Sequence, residues 1–159
     1  MKKKIQWIVI SGLVWLAVGF FLLFMGLKHT VHAALDVNEH TIFFSKLSAL
    51  VGGAEQASLL IVSLGLVIGF LKGRMVLAKT VRRVVDRILA LPLPIQFTQV
   101  YARGYLFLIG GMVMLGVVMK WMPADVRGLI DVAVGCALLN GSMLYFRQAM
   151  ALAKATRLN

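Results

Sequence analysis

The fold of this chain is decided by a run of 23 residues without a charged side chain, IQWIVISGLVWLAVGFFLLFMGL (5–27). An α-helix needs about 20 mostly apolar residues to cross about 30 Å of hydrocarbon, so the run predicts a transmembrane helix. The main alternative is a secretory signal peptide that is cleaved near Val31-His32-Ala33. Because the apolar region of a signal peptide is only about 7–15 residues long, we expect an uncleaved helix.

Three further segments have the length and composition of a membrane span, namely 54–71, 104–121 and 128–146. The 159 residues are 60% hydrophobic and 14% charged, whereas a soluble domain is about 45–50% apolar and about 25% charged. A bilayer accepts this excess of apolar surface. The sequence therefore predicts a single all-α domain (1–159), an integral membrane protein with four transmembrane helices.

The distribution of basic residues predicts the direction of insertion. If the chain crosses four times, thirteen of its 17 Lys and Arg residues fall on the side that holds both termini. Cytoplasmic segments of membrane proteins carry an excess of Lys and Arg. We therefore expect both termini in the cytoplasm and the protein in a bacterial inner membrane. The basic segment has no interleaved aromatic residues, so we expect no nucleic acid partner for the net charge of +11.

Two connections predict short amphipathic helices that lie on the membrane surface. In the outer one, 38–51, five apolar side chains share one helical face: Phe43, Phe44, Leu47, Leu50 and Val51. The inner one, 74–91, has valines at helical spacing, basic residues opposite them and Pro92 to end it. Anionic lipid or an acidic partner is expected to bind Lys72, Arg74, Lys79, Arg82, Arg83 and Arg87. The tail 147–159 lies on the same side.

Small residues at helical spacing predict close contacts between the spans, because packing rather than hydrophobicity drives helix association in lipid. The positions concerned are Gly12, Gly19, Gly65, Gly69, Gly73, Ala137 and Gly141. We favour contacts within one chain, with pairing of the Gly65-Gly69-Gly73 ridge to another chain as the alternative.

A weak internal repeat relates GLVIGFLKGRMVLAKTVR (65–82) to NGSMLYFRQAMALAKATR (140–157) without gaps. Both segments are the inner end of a span that runs into a basic amphipathic stretch. We interpret them as two helices with the same interfacial task, and an ancient duplication is the alternative.

Three polar residues in or near the spans define a possible polar pathway, namely Glu55, Asp131 and Asn140. An ionisable group in a bilayer is a functional hypothesis by default. Here Asp131 follows Arg127 by four residues, which favours a local ion pair. For Asn140 we expect an interhelical hydrogen bond rather than a place in a conduction path.

The outer segment after the first span offers the only pattern of metal-ligand type, His29, His32, Asp36 and His40. The spacings of three, four and four put all four on one face if the first helix continues. Imidazole and carboxylate can bind zinc or another divalent ion, or sense pH. We favour a solvated helix end and expect no cofactor.

No catalytic motif is present in the sequence, and its single cysteine, Cys136, lies in an apolar run. We therefore expect a non-enzymatic small membrane protein, a subunit of a larger membrane complex or a homo-oligomer, whose basic cytoplasmic face binds anionic lipid or an acidic partner. The alternatives are a small ion or solute channel or transporter, and a metal- or pH-responsive membrane protein.

Overall fold

The computed structural model of the chain describes residues 2–35, 43–92, 114 and 116–158. Within these ranges the regular structure is helical and no strand occurs. Three helices are long and apolar enough to cross a membrane. The prediction of an all-helical protein is therefore confirmed for the described residues, and the length and apolar composition of three helices are compatible with an integral membrane protein.

Helix α1 spans Lys2–Leu35 and has 34 residues, which makes it about 51 Å long. It contains the predicted span 5–27 and continues beyond it. The continuation follows from composition, because residues 28–35 contain neither proline nor glycine and end in favourable helix formers. His29 and His32 therefore lie on the last turns of this helix.

The second long helix runs without a break from Ala54 to Ala90. It consists of α3 (Ala54–Lys72), a π-helical turn (Gly73–Leu77) and α4 (Ala78–Ala90). We expected a span at 54–71 and a separate surface helix at 74–91. The two are continuous because Gly73 keeps helical dihedral angles, φ −58° and ψ −45°. The helix ends where Leu91 turns extended before Pro92, as the proline predicts.

The third long helix, α5, spans Ala124–Leu158 and has 35 residues. It merges the predicted span 128–146 with the predicted tail 147–159. A 3₁₀ turn, Met119–Trp121, precedes it. The predicted span 104–121 lies largely outside the described residues. Within this span, residues 114 and 116–118 are described as α-helical.

Glycines set the contact between α1 and α5, which run antiparallel. At the centre of this contact, a Cβ atom added to Gly19 would lie 3.0 Å from Leu138 Cβ. The pairs in contact along the interface are Gly12 with Tyr145, Gly19 with Leu138, and Gly26 with Val132. Small residues therefore let the two backbones approach closely over most of their length.

A second set of glycines joins α3 to α5, and here the two helices run parallel. Along this interface Gly65 lies against Val132, Gly69 against Cys136, Gly73 against Ala137, and Leu77 against Gly141. The residue numbers rise together on both helices. The end of α4 at Ala90 and the start of α5 at Ala124 consequently lie at opposite ends of the bundle, and we name these two ends the inner end and the outer end, respectively.

Helix α2 spans Phe44–Val51 and closes the outer end of the bundle. Phe44 is buried there with Ala33, Ala57 and Ile61. The apolar residues predicted to share one face do not all pack on the bundle. Phe43 and Leu50 point away from it and are exposed. The helix stops at Gly52, whose φ of +89° favours glycine.

Candidate functional site: the basic face of α4

Helix α4 presents two chemically opposite faces. Val81, Val84, Val85 and Ile88 are buried, and the exposed fraction of Ile88 is 0%. The exposed face carries Lys79, Arg82, Arg83, Asp86 and Arg87. The predicted amphipathic pattern of this segment is therefore present, with a row of four cations and one acid on the outside.

The apolar face of α4 packs on protein rather than on lipid. Its valines and Ile88 form one core cluster with Ile8 and Trp15 of α1 and with Tyr145 of α5. This differs from the expected surface helix, whose apolar face would be inserted between headgroups. Because α4 continues α3 and runs along the bundle, the two other long helices cover that face.

The inner end of the bundle collects basic side chains from all three long helices. The exposed cations there are Lys2, Lys3, Lys79, Arg82, Arg83, Arg87, Arg147 and Lys154. Asp86 is the one acid in this part of the described chain, and the single ion pair found among the described residues lies elsewhere. The inner end is thus a concentrated, exposed positive surface with eight cations, one acid and no ion pair among the described residues.

Lys4 shows how α1 and α4 are brought together at this end. Its Nζ donates a hydrogen bond of 2.6 Å to the backbone carbonyl oxygen of Leu89. The last carbonyls of a helix lack partners within the helix and carry partial negative charge. Lys4 therefore satisfies the end of α4, a role that the sequence pattern did not reveal.

The two remaining residues of the predicted basic set, Lys72 and Arg74, lie apart from the inner end. Both are exposed, and they flank Gly73 at the start of the π-helical turn. They lie beside the middle of α5, because Gly73 lies against Ala137.

The polar residues of the predicted pathway are not brought together. Asp131 lies 3.9 Å from Arg127, the local pair expected from their spacing. Asn140 donates an interhelical hydrogen bond of 3.3 Å to the carbonyl oxygen of Phe70, also as expected. Glu55 is exposed in the first turn of α3. Nine residues, or about 14 Å of helix, separate Asp131 from Asn140.

Two of the four predicted metal ligands, His29 and His32, belong to the residues that the structure describes. His29 is half-buried and its Nε2 has no hydrogen-bond partner among the described residues, whereas His32 is exposed. Asp36 and His40 lie outside the described residues. Within the described ranges no three residues of ligand type form a group. Metal or pH sensing at this segment stays a prediction.

The predicted packing residues lie on interfaces within the chain. The Gly65-Gly69-Gly73 ridge faces α5, where Ala137 lies against it. A Cβ atom added to Gly69 would overlap the carbonyl oxygen of Ala133. The thiol of Cys136 points at the Leu66 carbonyl oxygen on the same interface, 3.5 Å away.

Asp125 is the structural residue that the sequence analysis missed. It is buried, and its carboxylate accepts hydrogen bonds from the backbone N–H groups of Phe43 and Phe44. Its position just after Pro123 is typical of the first turn of a helix. That local signal does not reveal a partner about eighty residues away in the chain.

Comparisons with protein-family models, with curated proteins and with solved structures found no match. The class is therefore defined by the structure itself. The chain is an all-helical protein with three helices long and apolar enough to span a membrane and with a positively charged end.

Proposed function

We propose that this chain is a non-enzymatic membrane module whose basic cytoplasmic face docks on anionic lipid headgroups. One observation carries the proposal. The cations of α4 are exposed and form no ion pair within the described chain, while the apolar face of the same helix is already buried. An acidic protein surface offers the same charge, and the experiment below separates the two.

The burial of Val81, Val85 and Ile88 changes the energetics of this docking. A surface helix gains from burying its apolar face in the membrane, but α4 has no such face left to offer. Its attraction to lipid is then electrostatic, about 1 kcal/mol for each Lys or Arg near an anionic surface. Such attraction falls off within about 10 Å at 0.1 M salt, so the docking is strongly salt-dependent.

The proposal includes four membrane crossings with both termini in the cytoplasm. The supporting observation is the parallel direction of α3 and α5. The chain leaves α4 at Ala90, the inner end, and enters α5 at Ala124, the outer end. The two described ends of the intervening segment therefore lie at opposite ends of the bundle, and its sequence contains the apolar stretch 104–121.

The docking is tested with the triple variant Arg82→Gln, Arg83→Gln, Arg87→Gln in nanodiscs made from mixed neutral and anionic lipid. Native mass spectrometry reports the anionic lipids retained by each protein. We expect the wild type to enrich anionic lipid at low salt and the triple variant to lose about tenfold or more of this enrichment. The matched control neutralises the exposed outer lysines, Lys28→Gln and Lys46→Gln, and should keep the enrichment.

Equal lipid enrichment in the triple variant and the wild type would refute lipid docking. An acidic protein that co-purifies with the wild type and not with the triple variant, while lipid retention is unchanged, would assign the face to a partner protein instead.

The topology is tested by labelling single cysteines in a Cys136→Ser background with a membrane-impermeant maleimide. Leu50→Cys on α2 should react in intact cells, since Leu50 is 84% exposed at the outer end. Asp86→Cys on α4 should react only after the membrane is permeabilised. The reverse pattern would overturn the orientation.

A further inference from the structure

The level of each helix along the bundle can be read from two adjacent residues of α5. Ala137 lies against Gly73 of α3, and the next residue, Leu138, lies against Gly19 of α1. Gly73 and Gly19 are therefore at the same level. Gly19 belongs to the middle part of the uncharged stretch 5–27.

Lys72 and Arg74 are the neighbours of Gly73. They therefore lie at the level of the middle of the apolar segments of α1 and α5. On α5 the uncharged stretch is 132–146, and Ala137 lies inside it. The inner boundary of that stretch, at Arg147, is about 15 Å of helix further on. This distance exceeds the length of an extended Lys or Arg side chain, so neither cation reaches the inner headgroups.

The two copies of the internal repeat lie at different levels along the bundle. Lys72 aligns with Arg147 in the repeat, yet Gly73 lies against Ala137 rather than at the level of Gln148. The α3–α5 packing shifts the first copy outward along the bundle. A cation that the sequence pattern places at the inner surface is moved to mid-level.

Among the residues that the structure describes, this chain has no acidic side chain at the level of the pair. Its six acids are Asp36, Glu39, Glu55, Asp86, Asp125 and Asp131. No acid occurs between residues 91 and 123. Asp125 binds the start of α2 and Asp131 lies beside Arg127. Asp86 is twelve residues beyond Arg74, about 18 Å along the helix.

The remaining acids all precede Lys72 in the chain, by seventeen residues or more. Glu55 opens α3, seventeen residues before Lys72. Asp36 and Glu39 belong to the connection between α1 and α2, whose two described ends are both at the outer end. A second copy of the chain in the same orientation brings its four described acids at the same levels, and none of them lies at the level of Gly73.

The π-helical turn at Gly73–Leu77 coincides with this pair. Turns of this kind are rare and occur often at functional sites, because the extra residue redirects side chains. Charged residues at membrane depth face a polar space or pair with an opposite charge. The π-helical turn and the depth of the two cations point to an anionic group from outside the chain at this position.

We propose that Lys72 and Arg74 dock a carboxylate carried at mid-membrane by a transmembrane helix of a different protein. Lipid headgroups stay near the membrane surface, whereas a helix can hold an Asp or Glu at depth. The site goes beyond the lipid docking proposed for Arg82, Arg83 and Arg87, uses other residues and can fail independently of it.

The probe is a Leu-rich transmembrane peptide with one central Glu and a dansyl group, reconstituted with the full-length protein in neutral liposomes. Energy transfer from the tryptophans of the protein reports association. We expect the Glu peptide to associate about tenfold more strongly than the same peptide with a central Gln. The double variant Lys72→Gln, Arg74→Gln should lose this preference, and the control Arg82→Gln, Arg83→Gln should keep it.

A charge exchange makes the result independent of folding defects. The variant Lys72→Glu, Arg74→Gln should reject the Glu peptide and bind a peptide with a central Lys. The proposal is overturned if wild type does not distinguish Glu from Gln, or if a peptide with Glu near one end associates equally well. It is equally overturned if the double variant keeps the preference.

Discussion

The carboxylate of Asp125 accepts a hydrogen bond of 3.1 Å from the backbone N–H of Phe44, which lies 81 residues earlier in the chain. The same oxygen accepts a second bond, of 2.7 Å, from the N–H of Phe43. These amides begin α2, which has no side-chain cap of its own. Since the first amides of a helix lack partners and carry partial positive charge, Asp125 fastens α2 to the start of α5.

Replacing Asp125 with Ala should destabilise the outer end of the bundle. The change removes the acceptor of three backbone N–H groups, those of Phe43, Phe44 and Val126, which costs about 1–3 kcal/mol of unfolding free energy. Asp125→Asn should cost less, because the amide oxygen still accepts a hydrogen bond. Unfolding by SDS titration from mild detergent, followed by tryptophan fluorescence, measures the difference.

Glu55→Gln is the matched control for Asp125, since Glu55 is also a first-turn acid but is exposed. Its effect should stay within about 0.5 kcal/mol. If Asp125→Ala were equally mild, the hydrogen bonds to α2 would contribute nothing to stability.

Replacing Gly69 with Ala should weaken the α3–α5 interface. The added methyl group meets the carbonyl oxygen of Ala133, so the two backbones have to separate. Overpacking of this kind costs about 1–3 kcal/mol. The control is the same substitution at Gly116, which has open space around its Cβ position. Comparable unfolding free energies for the two variants would contradict the observed packing of α3.

Replacing Lys4 with Met should loosen the inner end of α4 without disturbing its core. The loss of the bond to the Leu89 carbonyl oxygen and of a charge near the helix end is worth about 0.5–1 kcal/mol. Hydrogen exchange at the last turn of α4 should accelerate accordingly. Lys3→Met removes the same charge from an exposed neighbour and should leave that exchange unchanged.

The level of Lys72 and Arg74 can be measured directly with a fluorophore on Met75→Cys in a Cys136→Ser background. Met75 is 73% exposed and follows Arg74, so a probe there shares its depth. Quenchers at the middle of the lipid chains should act more strongly than quenchers on headgroups. A probe on Arg87→Cys should show the opposite order, and headgroup quenching at both positions would contradict the inferred level.

Several features of the site could be read from sequence because they are local. The Arg127–Asp131 pair follows from a spacing of four on one helix. The end of α4 at Ala90 follows from Pro92, which cannot continue a helix. The interhelical hydrogen bond of Asn140 was expected because an amide deep in an apolar helix has few other partners. Its acceptor, the carbonyl oxygen of Phe70, became known only from the structure.

The role of α4 could not be read in this way. An amphipathic helix looks the same in sequence whether its apolar face meets lipid or protein. The apolar face of α4 meets protein because the helix continues through Gly73 without a break. Val81 and Ile88 therefore lie along the bundle, packed against α1 and α5. The same continuity leaves the charges of Arg82, Arg83 and Arg87 as the part available for docking.

The sequence by itself determined that the chain is helical and suited to a membrane, because helix length and hydropathy are properties of contiguous residues. It also determined which residues are charged and that no acid lies between residues 91 and 123. Only the tertiary structure decided the axial offset of α3 against α5. That offset is set by Gly65, Gly69 and Gly73 meeting surfaces far away in the chain, and it moves Lys72 and Arg74 from the expected inner surface to the middle of the bundle.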